Sequence, residues 1–174
     1  MDPRWKHPLP ALIAGPTCYG KSQLVRRLLE AGEDMIDGAP ENIIWCYGMY
    51  QPACDEMRKS IPNIRFLEGV PGDMETQINP SIQNLVVIDD LMHELSNDDR
   101  ITNLYTKGCH HRSLRVIFVL QNIFHRGKEL RDMSLNCHYF RRSRKRWYFC
   151  TASGGTSKNL ELKGKFLAYL RQLS

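Results

Sequence analysis

No apolar run in this sequence approaches the roughly 18 to 20 residues that a bilayer-crossing helix needs, and the first residues, Met1-Asp2-Pro3-Arg4-Trp5-Lys6, lack the apolar core of a signal peptide. The expectation is an intracellular protein with no membrane partner. Clustered cysteines are also missing. Cys18, Cys46, Cys54, Cys109, Cys137 and Cys150 are scattered along the chain, which argues for reduced thiols over a disulfide framework. Cys109, His110, His111, His125, Cys137 and His138 match no closed four-ligand spacing, so no zinc site is expected. Internal repeats and low-complexity stretches are absent, which sets aside solenoids and fibrous or generally disordered chains.

What is present suits one globular domain: 174 residues, enough for a real core and short for two. The formal net charge of +5 is moderate, but the basic residues are uneven, with a dense run at Arg141-Arg142-Ser143-Arg144-Lys145-Arg146. A polyanionic partner is compatible with that run, and charge alone does not prove one.

Periodicity gives the fold class. Leu9 to Ala14 reads as a strand, followed by a loop and a helix whose Leu24, Val25, Leu28 and Leu29 share one face. Asn42 to Tyr47 is a second strand, Gln51 to Lys59 a short helix, Asn63 to Leu67 a third strand, and Gly69 to Pro80 a loop. Leu85-Val86-Val87-Ile88 has the β-branched continuity of a strand buried on both faces, ending in Asp89-Asp90. A helix is expected from about Ser96 to Gly108, then a buried strand from Val116 to Leu120 ending in Gln121-Asn122. Alternation of strands and helices predicts an α/β domain with a mostly parallel sheet and helices on both faces.

Gly15-Pro16-Thr17-Cys18-Tyr19-Gly20-Lys21-Ser22 matches the phosphate-loop pattern and lies between the first strand and its helix, as that pattern requires. With average residue usage a chain this long shows the pattern by accident about once in a hundred times. Gly15 and Gly20 permit close backbone approach, so successive N–H groups can face a phosphate. Lys21 can bridge β- and γ-phosphates and Ser22 can ligate magnesium. The candidate nucleotide-binding residues are therefore Gly15, Pro16, Thr17, Cys18, Tyr19, Gly20, Lys21, Ser22 and Gln23.

Hydrolysis needs more than a grip. Asp89, at the carboxyl end of a buried strand, is where a magnesium-side carboxylate belongs, and Asp90 is placed to polarise an attacking water. Glu94 is a rival for the second role, because many ATPases of this type use the longer acid. Gln121 becomes a γ-phosphate sensor if its strand lies between the phosphate-loop strand and the Asp89 strand. Each of these is also an ordinary residue for a strand end.

"GPTCYGKS", "LVVIDDLMHE" and "LYTKGCHHRSLRVIFVLQNIFHRGKELRDMSLNCHY" together resemble the DNA-packaging ATPases of Polinton (Maverick) elements and adintovirus-like viruses, within the FtsK/HerA superfamily. The resemblance covers about residues 8 to 140. It implies a RecA-like phosphate-loop NTPase core that uses ATP and Mg2+, assembles as a homo-oligomeric ring, and drives double-stranded DNA, with a capsid protein as a further partner and a host nucleus or virion as the location. It also implies an arginine inserted into a neighbouring subunit's site, for which Arg112 is the candidate and Arg115 the second. Beyond Tyr139 the family pattern stops, giving a core over 1–140 and a divergent basic segment over 141–174 that contains a last sheet strand or a tail.

The basic run fits a DNA-contacting stripe, a nuclear-import signal or a solvated turn, and Trp147-Tyr148-Phe149 fits an edge strand better than a base-stacking surface. Two other classes stay open on the sequence: a phosphate-loop kinase with a small acceptor, and a nucleotide-binding protein without turnover.

Overall fold

The computed structural model describes residues 10–91, 104 and 113–121, and the backbone of 138–143 and 146–151. Among the described residues seven strands form one sheet: β1 (Ala11–Ala14), β2 (Asn42–Tyr47), β3 (Ile64–Glu68), β4 (Asn84–Asp89), β5 (Leu114–Leu120), β6 (His138–Ser143) and β7 (Arg146–Thr151). Their spatial order is β3-β2-β4-β5-β1-β6-β7, all neighbours parallel except the antiparallel β6–β7 pair. Two helices complete the described elements, α1 (Lys21–Ala31) and α2 (Ala53–Ser60), together with short 3-10 turns at Gly32–Asp34 and Met74–Gln77. The second turn lies in the stretch expected as loop. The helix expected near 96–108 lies outside the described residues except for Leu104, which is buried.

Side-chain alternation sorts the core into two layers. Ala11, Ile13, Ile43, Trp45, Leu85, Val87, Ile117 and Val119 face the side where α1 buries Leu24, Val25, Leu28 and Leu29 and α2 buries Cys54 and Met57. Leu12, Ala14, Ile44, Cys46, Val86, Ile88, Val116, Phe118 and Leu120 face the other, against Met74, Ile78, Leu91 and Leu104. A sheet covered on both faces has no solvent-facing alternation to show, which is why β4 and β5 read as continuous apolar runs.

The strand before Gln121 starts earlier than expected, at Leu114, because Arg115 is inside it. Arg115 is 1% exposed, and its guanidinium donates to the backbone carbonyls of Gly38, at 2.7 Å, and Asp37. A charge inside a strand reads as a loop from sequence, but carbonyl acceptors let this one stay buried. Burial pulls the Arg115 pKa below its ordinary value, partly countered by Asp37. The same burial removes Arg115 as a candidate for an arginine inserted into a neighbouring subunit, since a side chain clamped on its own chain's carbonyls at the amino end of β5 has no reach.

A second polar device holds the amino end of β4. Asn84 is fully buried; its Nδ2 donates to the carbonyls of Asn79 (2.6 Å) and Ile82 (2.8 Å), and its Oδ1 accepts from Asn42 Nδ2 (2.9 Å) and the Asn79 N–H (3.2 Å). All four hydrogen-bonding positions of the amide are used. On the outer surface, Arg26 of α1 pairs with Glu30 (2.8 Å) and with Glu56 of α2 (2.7 Å), tying the two helices over the sheet.

β6 extends the sheet beside β1, in register Ala11↔His138 to Ala14↔Arg141, and β7 forms the edge beyond it. Trp147-Tyr148-Phe149 is part of that edge strand, as expected. The chain beyond Tyr139 thus supplies strands to the sheet, and β6 runs through position 140 without a break.

Candidate nucleotide site

All parallel strands present their carboxyl ends to one rim, where ligands of open α/β sheets bind. β1 ends at Ala14 and the backbone turns at once: the Gly15 N–H donates to the Leu120 carbonyl at 3.1 Å, pinning the loop to β5. Cys18 and Gly20 both adopt left-handed backbone, at φ 62° and φ 74°. Left-handed residues in a tight loop turn successive N–H groups into one concavity suited to an anion. Gly20 also precedes the first turn of α1, whose N-terminus adds its positive dipole end.

Lys21 opens α1, and its Nζ donates to the Pro16 carbonyl at 2.9 Å across the loop. Desolvation holds its pKa below the ordinary lysine value, with Asp89, Asp90 and Cys18 pulling the other way. Ser22 follows, and its hydroxyl donates to Asp89 Oδ2 at 2.9 Å. That contact joins the phosphate-loop helix to the end of β4, two strands away. Burial pushes the Asp89 carboxyl up to about 6, with the neighbouring Asp90 charge adding to the rise and Ser22, Lys21 and Trp45 opposing it.

The Ser22 and Asp89 oxygens fit a divalent cation. Two cis oxygens around an octahedral magnesium ion, each about 2.1 Å from the metal, stand about 3 Å apart, and these two stand 2.9 Å apart already. The oxygen-only donor set suits magnesium better than a softer metal.

β5 lies between β1 and β4, the placement on which a sensor role for Gln121 depended. Gln121 follows β5 directly, and its Nε2 donates to both carboxylate oxygens of Asp90 at 3.0 Å each. Asp90 itself leaves β4 in a left-handed turn, φ 57°, with its N–H on the Val119 carbonyl at 3.1 Å. Asp89 and Asp90 therefore meet different partners from adjacent positions, one partly buried toward Ser22 and the other exposed toward Gln121. Arg112 and Glu94 lie outside the described residues.

One neighbour of this site was not visible in the sequence. Gly48 follows the end of β2, one place beyond the Tyr47↔Asp89 pair, and a Cβ there would stand 3.3 Å from the Asp90 carbonyl oxygen and 3.2 Å from Leu91 Cδ2. A glycine at the end of a buried strand is a signal of close backbone approach, but only the register shows what approaches. Among the described cysteines, Cys18 in the loop is exposed while Cys46 and Cys54 are buried in the core. Among the described residues no group of three or more His, Cys, Asp or Glu side chains is arranged to hold a metal, and no described helix is long and apolar enough to cross a membrane.

No family model and no curated protein matches this sequence. Ten solved chains match its structure. One is the cytoplasmic domain of EssC. That superposition has a TM-score of 0.57 at 14% sequence identity and covers 95% of this chain. This chain spans 45% of that structure's length. At such identity the likeness shows the fold alone: a parallel α/β sheet with flanking helices. The coverage extends past Tyr139, in keeping with β6 and β7 as parts of the sheet.

Proposed function

We propose that this chain is a magnesium-dependent ATPase that moves double-stranded DNA, akin to the FtsK/HerA-type packaging ATPases of Polinton and adintovirus-like elements. The observation that carries the hydrolytic half is the Gln121–Asp90 pair, held at 3.0 Å by the insertion of β5 between β1 and β4. A kinase acceptor site has no need of an amide locked to the water-polarising acid. The DNA half is supported by the sequence resemblance and by the basic run.

In this reading the loop N–H groups from Thr17 to Lys21 and the Lys21 ammonium bind and orient the triphosphate. Ser22 and Asp89 would hold magnesium, which would supply positive charge to offset that of the triphosphate. Asp90 accepts the proton of the attacking water, and Gln121 orients Asp90 until its amide turns to the γ-phosphate. Arg112 of an adjacent copy completes the charge stabilisation in a ring, and a capsid is the destination of the DNA.

The test is phosphate release by purified protein with magnesium-ATP, with and without long duplex DNA, beside Lys21→Ala. Turnover that needs Lys21 and rises with DNA is the expected result. Turnover indifferent to DNA refutes the motor, and nucleotide binding with no release under either condition refutes the enzyme. Loss of activity on doping with Arg112→Ala subunits tests the ring.

A further inference from the structure

We propose that the β6–β7 hairpin is a DNA-phosphate-binding element placed on the rim of the nucleotide site. This inference rests on the DNA-motor reading and says where on the chain the duplex is gripped.

The first observation is charge. The chain has 24 Lys and Arg against 19 Asp and Glu; without the five basic residues from Arg141 to Arg146, 19 of each sign remain. The whole net positive charge of the protein is therefore equivalent to this one stretch. From 138 to 151 there is no acidic residue to offset it.

The second observation is register. Ala14, the last residue of β1 before the phosphate loop, pairs with Arg141. β6 then runs two residues further, about 7 Å at the usual rise per residue, and turns back so that Ser143 pairs with Arg146. The hairpin thus closes at the carboxyl rim of the sheet, the rim that carries the phosphate loop, Asp89, Asp90 and Gln121. Nothing in the linear sequence puts position 141 beside position 14.

The third observation is alternation. Arg142 occupies the sheet face of His138 and Phe140, and so of Ala11 and Ile13; Arg141 occupies the opposite face with Leu12 and Ala14. Cationic positions on two faces of one strand do not converge on a single small anion, and the triphosphate already has Lys21. An extended polyanion running past the rim suits them. Short linear import signals are taken up as free extended segments, whereas Arg141, Arg142 and Arg146 are committed to a ladder. Cations on an edge strand can also serve only to prevent strand-to-strand aggregation, and the experiment separates that role.

Binding of the full chain to a fluorescein-labelled duplex of several helical turns is measured by anisotropy from about 50 to about 200 mM NaCl, for wild type, for Arg141→Gln/Arg142→Gln/Arg146→Gln, and for the matching triple Lys variant. Three lost phosphate contacts make the log–log salt slope shallower by about 2.7, so the wild-type advantage shrinks about 40-fold across that fourfold salt range. The Lys variant keeps the slope. Binding of a fluorescent ATP analogue by each variant reports that the site is intact; if the triple Gln variant loses it, the single Arg146→Gln, shallower by about 0.9, decides. An unchanged slope in the Gln variants while wild type binds DNA overturns the inference and leaves the motor reading standing. An unchanged slope with loss of nuclear accumulation assigns the run to import instead. Failure of wild type to bind duplex at the lowest salt, with Lys21-dependent phosphate release retained, overturns the motor reading itself.

Discussion

Replacing Asp89 by asparagine will make the empty protein more stable while destroying its activity. Asp89 is a carboxylate that burial pushes to about 6 from 3.8. A folded-state pKa above the unfolded one means that folding disfavours the charged form. The penalty is absent below about pH 4, grows as pH rises, and is complete above about pH 6. A displacement of that size corresponds to about 3 kcal/mol, at 1.36 kcal/mol for each pH unit. Local relaxation and nearby water lower the realised value to about 1–3 kcal/mol. Asparagine keeps an oxygen for the Ser22 hydroxyl but carries no charge to desolvate. At about 2–4 °C per kcal/mol for a chain of this size, Asp89→Asn melts roughly 3–10 °C above wild type near neutral pH. The assay is thermal melting by circular dichroism in EDTA without nucleotide, at about pH 4 and about pH 7.5. The gain must appear at the higher pH and shrink at the lower one. A variant that melts at or below wild type near pH 7.5, or a gain that does not change with pH, refutes the assignment of Asp89 as a carboxylate held against its solvation for the sake of a cation.

Gln121→Ala frees the Asp90 carboxylate; nucleotide affinity should stay within about twofold while phosphate release falls on the order of 10²-fold, read by steady-state release and analogue binding. Arg115→Ala leaves the Asp37 and Gly38 carbonyls without their donors and opens a cavity, costing about 3 kcal/mol in urea unfolding with nucleotide affinity little changed in the folded fraction. Asn84→Ala removes four hydrogen bonds at one buried point and should lower stability by about 2–4 kcal/mol by the same measurement, again without a direct effect on nucleotide affinity.

The parts of the site that could be read from sequence are those whose chemistry is local. The phosphate loop is one continuous stretch whose glycines, lysine and serine act within a few residues of one another, and the apolar runs of β4 and β5 announce burial by themselves. Asp89 and Gln121 were legible as strand ends, but their relation depends on strand order, a property of packing between distant segments. Arg115 does not read as a buried strand residue because its partners are the carbonyls of Asp37 and Gly38, 78 and 77 positions earlier. Gly48 is silent in the sequence for the same reason: its value lies in the Asp90 backbone laid against it. The register of β6 against β1 depends on how two segments more than a hundred residues apart align, which no local pattern encodes.

The insertion of β5 also fixes a length. β1 and β4 are not neighbours, so the backbones of the strand ends that carry the phosphate loop and the paired acids stand two inter-strand steps apart, about 9.5 Å. Backbone hydrogen bonds hold that gauge, and side-chain volume has little say in it. Changes to the apolar residues of β5 should therefore weaken the protein long before they alter the site's dimensions. That spacing is insulated from drift in the core, and it is exposed only to events that slide or break the ladder itself.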